Sequence, residues 1–211
     1  MPPPYCYEHP RPAVTVDLVA FTTIEGTIHV LLIRRKHEPF AGSWALPGGF
    51  LEIDEPVESA ARRELLEETG LELAGPLEPI GCFTRPGRDP RGRTITLAFA
   101  TALPPGPHPV AGRDDAAEAA WIPLDQPLEL AFDHAEILDS ARAWLRRRVQ
   151  EGPVGLLLLG PTPPPNLPQV QRLFRQLGLP PRSAGPWLRR MARIGQLHPS
   201  APPGQRDPAT S

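Results

Sequence analysis

Residues 49–71 read GFLEIDEPVESAARRELLEETGL. The spacing is Gly49, five residues, Glu55, seven residues, then Arg63-Glu64-Leu65-Leu66-Glu67-Glu68-Thr69-Gly70-Leu71. From Val57 to Thr69 there is no Gly or Pro, and Ala, Leu, Glu and Arg dominate, so the segment is predicted to be helical. Pro56 suits a first helical position, where its missing N–H is no loss, and Gly70 is a natural stop. On that helix Glu64, Glu67 and Glu68 stand at i, i+3 and i+4 and share one face. Like charges so placed repel by about 0.2–0.5 kcal/mol per pair in an isolated helix. Alone, the Glu67-Glu68 pair would read as a solvated acidic face. Three hard oxygen donors gathered beside a glycine loop instead suit Mg²⁺ or Mn²⁺, which are usually held by a few carboxylates plus substrate phosphates.

Outward from this stretch the pattern is one of strands. Val14 to Thr22 is rich in β-branched residues, Glu25-Gly26 marks a turn, and Thr27 to Ile33 reads as the returning strand. Arg34-Arg35-Lys36 follows at the strand end. Ile80–Thr84, Thr94–Thr101 and Ala119–Ile122 are further strand candidates. Between the first two lies Arg85-Pro86-Gly87-Arg88-Asp89-Pro90-Arg91-Gly92-Arg93, dense in turn formers and positive charge. Asp133–Gln150 is a second strong helix, with Asp133 placed to cap it and Arg146-Arg147-Arg148 at the end that favours cations.

Composition sets the bounds. The chain has 211 residues, 40% of them hydrophobic, and a formal charge of −2. That is ordinary for a globular protein, and no apolar run approaches the ~20 residues of a membrane span. The N-terminus lacks the basic and apolar regions of a signal peptide. Cys6 and Cys82 have no zinc-like spacing and read as reduced thiols. These features lead us to expect a cytoplasmic protein that does not engage the membrane. The 31 prolines gather at the N-terminus, near 104–109, at 161–168 and at 199–208, all read as loop, linker or tail. Charge is split: residues 1–139 hold 22 acidic and 11 basic side chains, whereas residues 140–211 hold 2 acidic side chains and 11 arginines. Such asymmetry hints at nucleic-acid contact, self-association or a basic tail docking on an acidic domain.

The 49–71 stretch resembles the Nudix box at every defined position. The segments 11–17, 39–50, 88–93 and 131–135 are similar to one Nudix subgroup, which contains ADP-ribose pyrophosphatases and Nudix-related transcriptional regulators of NAD metabolism. The resemblance implies an α/β fold, a Nudix α/β/α sandwich with a mixed sheet, over residues 1–150. It implies a Mg²⁺- or Mn²⁺-dependent pyrophosphatase acting on a nucleoside diphosphate linked to another moiety, with ADP-ribose, split to AMP and ribose 5-phosphate, as the first expectation. Metal ligands would be Glu64, Glu67, Glu68 and the Gly48 carbonyl, with Arg63 orienting a carboxylate. Glu55 either joins the cluster through water or sits near the helix start, where negative charge is favoured. Glu118 is the expected general base, with Asp114 and Asp115 competing for the role. Pro86 lies near a marker proline of ADP-ribose hydrolases, and Arg88 and Arg91 would pair with the diphosphate. His134 is either a substrate contact or a structural histidine. A homodimer is expected on the same ground.

Residues 151–198 are similar to the winged-helix domain appended to the NAD-metabolism regulators: a small, mostly helical unit with helical patterns at Leu167–Leu177 and from Arg189 to Ile194. Residues 199–211 are expected to be a disordered tail. Arg182, Arg189, Arg190 and Arg193 would then face DNA. The sequence departs from that family pattern at Ala184-Gly185-Pro186, where basic and polar residues are usual. The alternative function is therefore an ADP-ribose-responsive transcriptional regulator, and its plain counterpart a vestigial domain that only packs.

Overall fold

Strand β1 (Ala13–Ile24) is apolar on both faces because it lies between two helical layers. Val16, Leu18 and Ala20 point to one side, into a cluster with Ala60, Ala61 and Leu65 of α1 (Val57–Thr69). Val19 and Phe21 point to the other, where Ile137, Ala141, Trp144 and Leu145 of α2 (His134–Glu151) meet them. The two-residue period of a strand divides the residues this way, and burial on both faces explains the near-continuous apolar run. In this computed structural model, residues 8–160 and 163–193 are described. Cys6, Ile194 and the expected tail from Pro199 lie outside them.

The sheet has seven strands, with β2 (Thr27–Arg35), β3 (Trp44–Ala45), β4 (Gly48–Phe50), β5 (Glu78–Phe83), β6 (Thr94–Ala102) and β7 (Ala116–Pro123) joining β1. The main path runs β3-β2-β1-β6-β5, with β4 on β1 and β7 on β2. β1 and β6 are parallel, whereas β1–β2, β1–β4, β2–β7 and β5–β6 are antiparallel. This mixed sheet between α1 and α2 is the α/β/α sandwich that the resemblance implies.

Helix α1 has the predicted bounds. Pro56 is its N-cap rather than its first residue, and Gly70 closes it at φ +72°, its N–H donating to the Leu66 carbonyl. Only glycine adopts that left-handed cap freely. Asp133 stands at the N-cap position of α2 but makes no side-chain capping bond. Its carboxylate is engaged by Arg88 instead.

Beyond α2 come α3 (Val154–Leu159), α4 (Leu167–Gln176), a 3₁₀ turn (Pro181–Ser183) and α5 (Ala184–Arg193). Among the described residues this part contains no strand. Asn166 and Gln169 form a reciprocal capping box that starts α4, satisfying two otherwise orphaned donors. Helix α5 begins five residues before the predicted Arg189, because Pro186 falls in the first turn, where no intrahelical N–H bond is lost. Val170, Leu173, Phe174, Trp187 and Met191 belong to the same apolar cluster as Val19, Phe21 and Trp144, so one core runs from the sheet through α2 into α5. Polar contacts reinforce it. The Trp187 indole donates to the Val149 carbonyl at 2.7 Å. The Gln176 amide accepts from Ile28 N–H at 2.7 Å and donates to the Gly26 carbonyl at 2.9 Å.

Candidate active site

Arg63 is the hub of the acidic helix face. It donates to both carboxylate oxygens of Glu55, at 3.1 and 2.6 Å, to Glu64 at 2.8 Å, to Glu67 at 3.0 Å and to the Phe50 carbonyl at 3.1 Å. Its own pKa is raised, first by the hydrogen bond to Glu55, and that bond holds Glu55 low. Glu55 is thus tied to Arg63 and, through its bond from Glu52 N–H, to the loop before the helix. Glu68 is not among the Arg63 partners and is buried, accepting from Gly48 N–H at 3.0 Å. Burial pushes its pKa up to about 8. Glu64 is also raised, chiefly by burial.

The glycine loop is shaped to this helix. A Cβ on Gly49 would fall 2.4 Å from the Glu64 carboxylate, and one on Gly48 would fall 2.2 Å from the Val16 carbonyl. Only glycine lets the loop and the carboxylates approach so closely. Among the described residues, no three His, Cys, Asp or Glu side chains are already drawn into a metal-binding group; Arg63 holds oxygens of Glu55, Glu64 and Glu67. The donor chemistry nevertheless fits Mg²⁺ or Mn²⁺. It is all oxygen, and two of its carboxylates have charged forms that burial disfavours and a cation would favour.

A cleft opens beside Gly48 and Gly49. Its far wall is the 85–93 loop, together with Arg35 and Phe132. Arg88 is buried, donating to Asp133 at 2.9 and 2.6 Å. The Asp89 carboxylate clamps Arg91, with the closest contact at 2.7 Å. The Arg91 guanidinium also lies 5.0 Å from the Phe50 ring centre and 5.6 Å from that of Phe132. Arg35 stacks on Phe132 at 4.9 Å, and burial, followed by repulsion from Arg91, lowers its pKa. This wall is a set of pre-oriented cations, suited to an anionic group of a ligand. Phe132 is held at φ +54°, an uncommon conformation for a bulky residue and one that tends to occur at functional sites.

Other predicted residues lie apart from the cleft lining. Pro86 is exposed on the loop. Glu118 accepts from Arg34 at 3.0 Å across β2 and β7, half exposed. Asp115 faces His37 at 3.6 Å. Arg182, Arg189, Arg190 and Arg193 are all exposed, and Arg190 also donates to the Gln150 carbonyl. Sequence reading missed Asp17 and Asp89, which line the cleft. For Asp17 a signal existed: a lone acid inside an apolar strand is informative when the strand is buried.

The NUDIX domain family model matches residues 11–145. The ADP-ribose pyrophosphatase of Methanocaldococcus jannaschii is 42% identical over 134 residues, spanning 64% of this chain and 75% of that protein. The ADPR responsive transcriptional repressor NtrR of Acinetobacter baylyi is 33% identical over 158 residues, spanning 73% of this chain and 62% of its own length. The crystal structure of Shewanella oneidensis NrtR superposes with a TM-score of 0.72 at 30% identity, covering 87% of this chain and 85% of that one. That protein has also been crystallised with a 27mer DNA, and its NUDIX domain with ADP ribose. With the box intact, the sandwich in place and most of the chain matched, this protein belongs to the NUDIX family.

Proposed function

We propose that the protein is a divalent-cation-dependent pyrophosphatase that cleaves ADP-ribose to AMP and ribose 5-phosphate. The observation that carries this reading is the complete acidic face of α1, oriented by Arg63 and set against a glycine loop at the mouth of a cationic cleft. The 42% identity to an ADP-ribose pyrophosphatase, over 75% of that protein, supports the substrate. Glu64, Glu67, Glu68 and the Gly48 carbonyl would hold the cation. When bound, a divalent cation supplies Lewis acidity, offsetting charge on the diphosphate and lowering the pKa of water. Arg63 keeps Glu64 and Glu67 aimed while their charges repel. Arg35, Arg88 and Arg91 would receive the diphosphate oxygens, their side chains already fixed, so little ordering entropy is lost on binding. Water adds to one phosphorus, the bridging P–O bond breaks, and the departing phosphate leaves with the electron pair.

Glu118 is the proposed proton acceptor and would have to leave Arg34 to reach the water. Glu118→Gln should lower kcat by about 10²–10⁴ with little change in KM if it is the base; unchanged kcat moves the role elsewhere. Phosphorus NMR of ADP-ribose incubated with the protein and Mg²⁺ tests the reaction itself. AMP and ribose 5-phosphate should appear in equal amounts, and an unchanged spectrum contradicts the assignment.

A second reading, an ADP-ribose-responsive regulator, is favoured by one observation. Helices α4 and α5 are joined by a connection whose 3₁₀ turn exposes Arg182, and α5 exposes Arg189 and Arg193. A gel-shift titration tests this second reading. DNA binding that weakens steeply with salt, and further when Arg189 and Arg193 become Ala, supports the regulator.

A further inference from the structure

Three successive residues before the acidic helix have their backbone groups fixed from three directions. Leu46 N–H donates to His134 Nδ1 at 2.9 Å. The Pro47 carbonyl accepts from Leu18 N–H at 2.9 Å. Gly48 N–H donates to Glu68 at 3.0 Å. The first of these partners is a side chain 88 residues away, on the first turn of α2. Leu46 itself is buried, so without that nitrogen its N–H would face the cost of an unmet buried donor.

The ring of His134 is held in turn. Its Nδ1 accepts a hydrogen bond, so the proton of the neutral ring is on Nε2, which lies 3.4 Å from Asp17 Oδ1. Burial, the largest influence on this histidine, lowers its pKa and keeps the ring neutral. Asp17 Oδ2 accepts from the Thr96 hydroxyl at 2.7 Å and lies 3.7 Å from Arg88. Asp17 also pairs in register with Gly48 across β1 and β4. Thr96, Asp17, His134 and Leu46 therefore form a buried relay from β6, through β1 and α2, to the glycine loop. Both nitrogens of His134 face partners within this relay, so it is not poised to take a proton from water or to bind an anion.

We propose that His134, oriented by Asp17 and Thr96, is a positioning residue that sets the Leu46–Gly48 backbone against Glu68. The proposal rests on the reading that Gly48 and Glu68 serve the cation site. It predicts a residue whose loss weakens cation binding and lowers turnover while leaving substrate contacts largely intact.

The test uses the full chain. Amide hydrogen exchange of Leu46 and Gly48 is followed by NMR in cation-free protein, and Mn²⁺ binding by calorimetry. Wild type, His134→Phe, His134→Asn and Thr96→Val are compared. Phe fills the space without an acceptor. Asn presents an oxygen the same number of bonds from the backbone as Nδ1. His134→Phe should expose the Leu46 amide to exchange at least about tenfold faster and weaken Mn²⁺ binding about tenfold or more, a loss of the size seen when partners of metal ligands are removed. His134→Asn should recover much of the Leu46 protection. Thr96→Val, which nearly keeps the volume, should shift Mn²⁺ affinity in the same direction by less, and serves if the histidine variants fail to fold. Wild-type Leu46 protection in His134→Phe, or Mn²⁺ affinity unchanged in both His134→Phe and Thr96→Val, would overturn the proposal. Wild-type protein that neither binds Mn²⁺ nor hydrolyses ADP-ribose would instead defeat the functional reading, while the exchange comparison would still decide what holds the loop.

Discussion

Glu68 concentrates the electrostatic tension of the site. The residue is 5% exposed, and its pKa is raised to about 8 by burial, opposed in part by the bond from Gly48 N–H. A raised folded-state pKa means the folded protein holds a proton that the unfolded chain has released. The stabilisation is thus present below the ordinary carboxyl value of about 4.5 and is lost as pH rises toward about 8. Cation-free protein should therefore show a Tm that falls across that window. Glu68→Gln, which keeps an oxygen for Gly48 N–H, should flatten the fall and raise Tm at the alkaline end. Thermal scans with excess chelator at several pH values check this; a wild-type Tm independent of pH there would mean Glu68 is charged without cost. Mg²⁺ should recover the lost stability in wild type and not in Glu68→Gln, since a ligand that binds only the folded state stabilises it.

The 85–93 loop is the element where charge pattern alone says least. Four arginines in nine residues do not show which of them are tied to partners. In the fold, Arg88 is buried against Asp133, while Asp89 fixes Arg91. Truncating one member of a buried pair leaves an unpaired charge, so Asp133→Ala should cost about 3–5 kcal/mol of stability. Replacing Arg88 and Asp133 together by Met and Leu should cost far less than the sum of the single changes. Urea unfolding of the three variants measures this coupling, and additive losses would show that the pair is not a unit. The same contrast explains what was legible in the sequence. Helix α1 follows from local information, namely unbroken propensity and a glycine stop, and its bounds were predicted. The pairing of Arg63 with carboxylates was legible through the box. Asp133 was not: as an isolated residue before a helix it fits a cap, and only the long-range approach of Arg88 assigns its carboxylate elsewhere. Asp17 escaped for the same reason, and His134 stayed between a substrate contact and a structural role, since their partners lie 79 and 88 residues away.

At the scale of the molecule, α2 joins the two ends of the structure. Its 18 residues span about 27 Å, from His134 at the cleft to Val149 and Gln150, which receive Trp187 and Arg190 of α5. A sequence split near residue 150, marked by the change of charge and the proline-rich segment, suggests two units. The apolar cluster instead continues from Phe21 through Trp144 to Trp187 and Met191. Calorimetry of the full chain should therefore give one unfolding transition whose calorimetric and van't Hoff enthalpies agree. Trp187→Ala should lower the whole transition by about 3–5 kcal/mol. Two separable transitions would show that the C-terminal helices melt alone. A continuous core also bears on function. Ligand at the cleft and any partner on α5 would act on one packed body, so both readings can hold for one chain.

In the proposed function, the acidic face of α1 drives hydrolysis of the diphosphate bond. The most direct test is AMP release from ADP-ribose in the presence of Mg²⁺ by wild-type protein and by the Glu67→Gln/Glu68→Gln variant. The prediction is steady release by wild type and a loss of at least about a hundredfold in a variant that remains folded, since even partners of metal ligands are worth about 10–100-fold. Release by the variant at the wild-type rate, or ADP-ribose bound by wild type without any AMP formed, would contradict it.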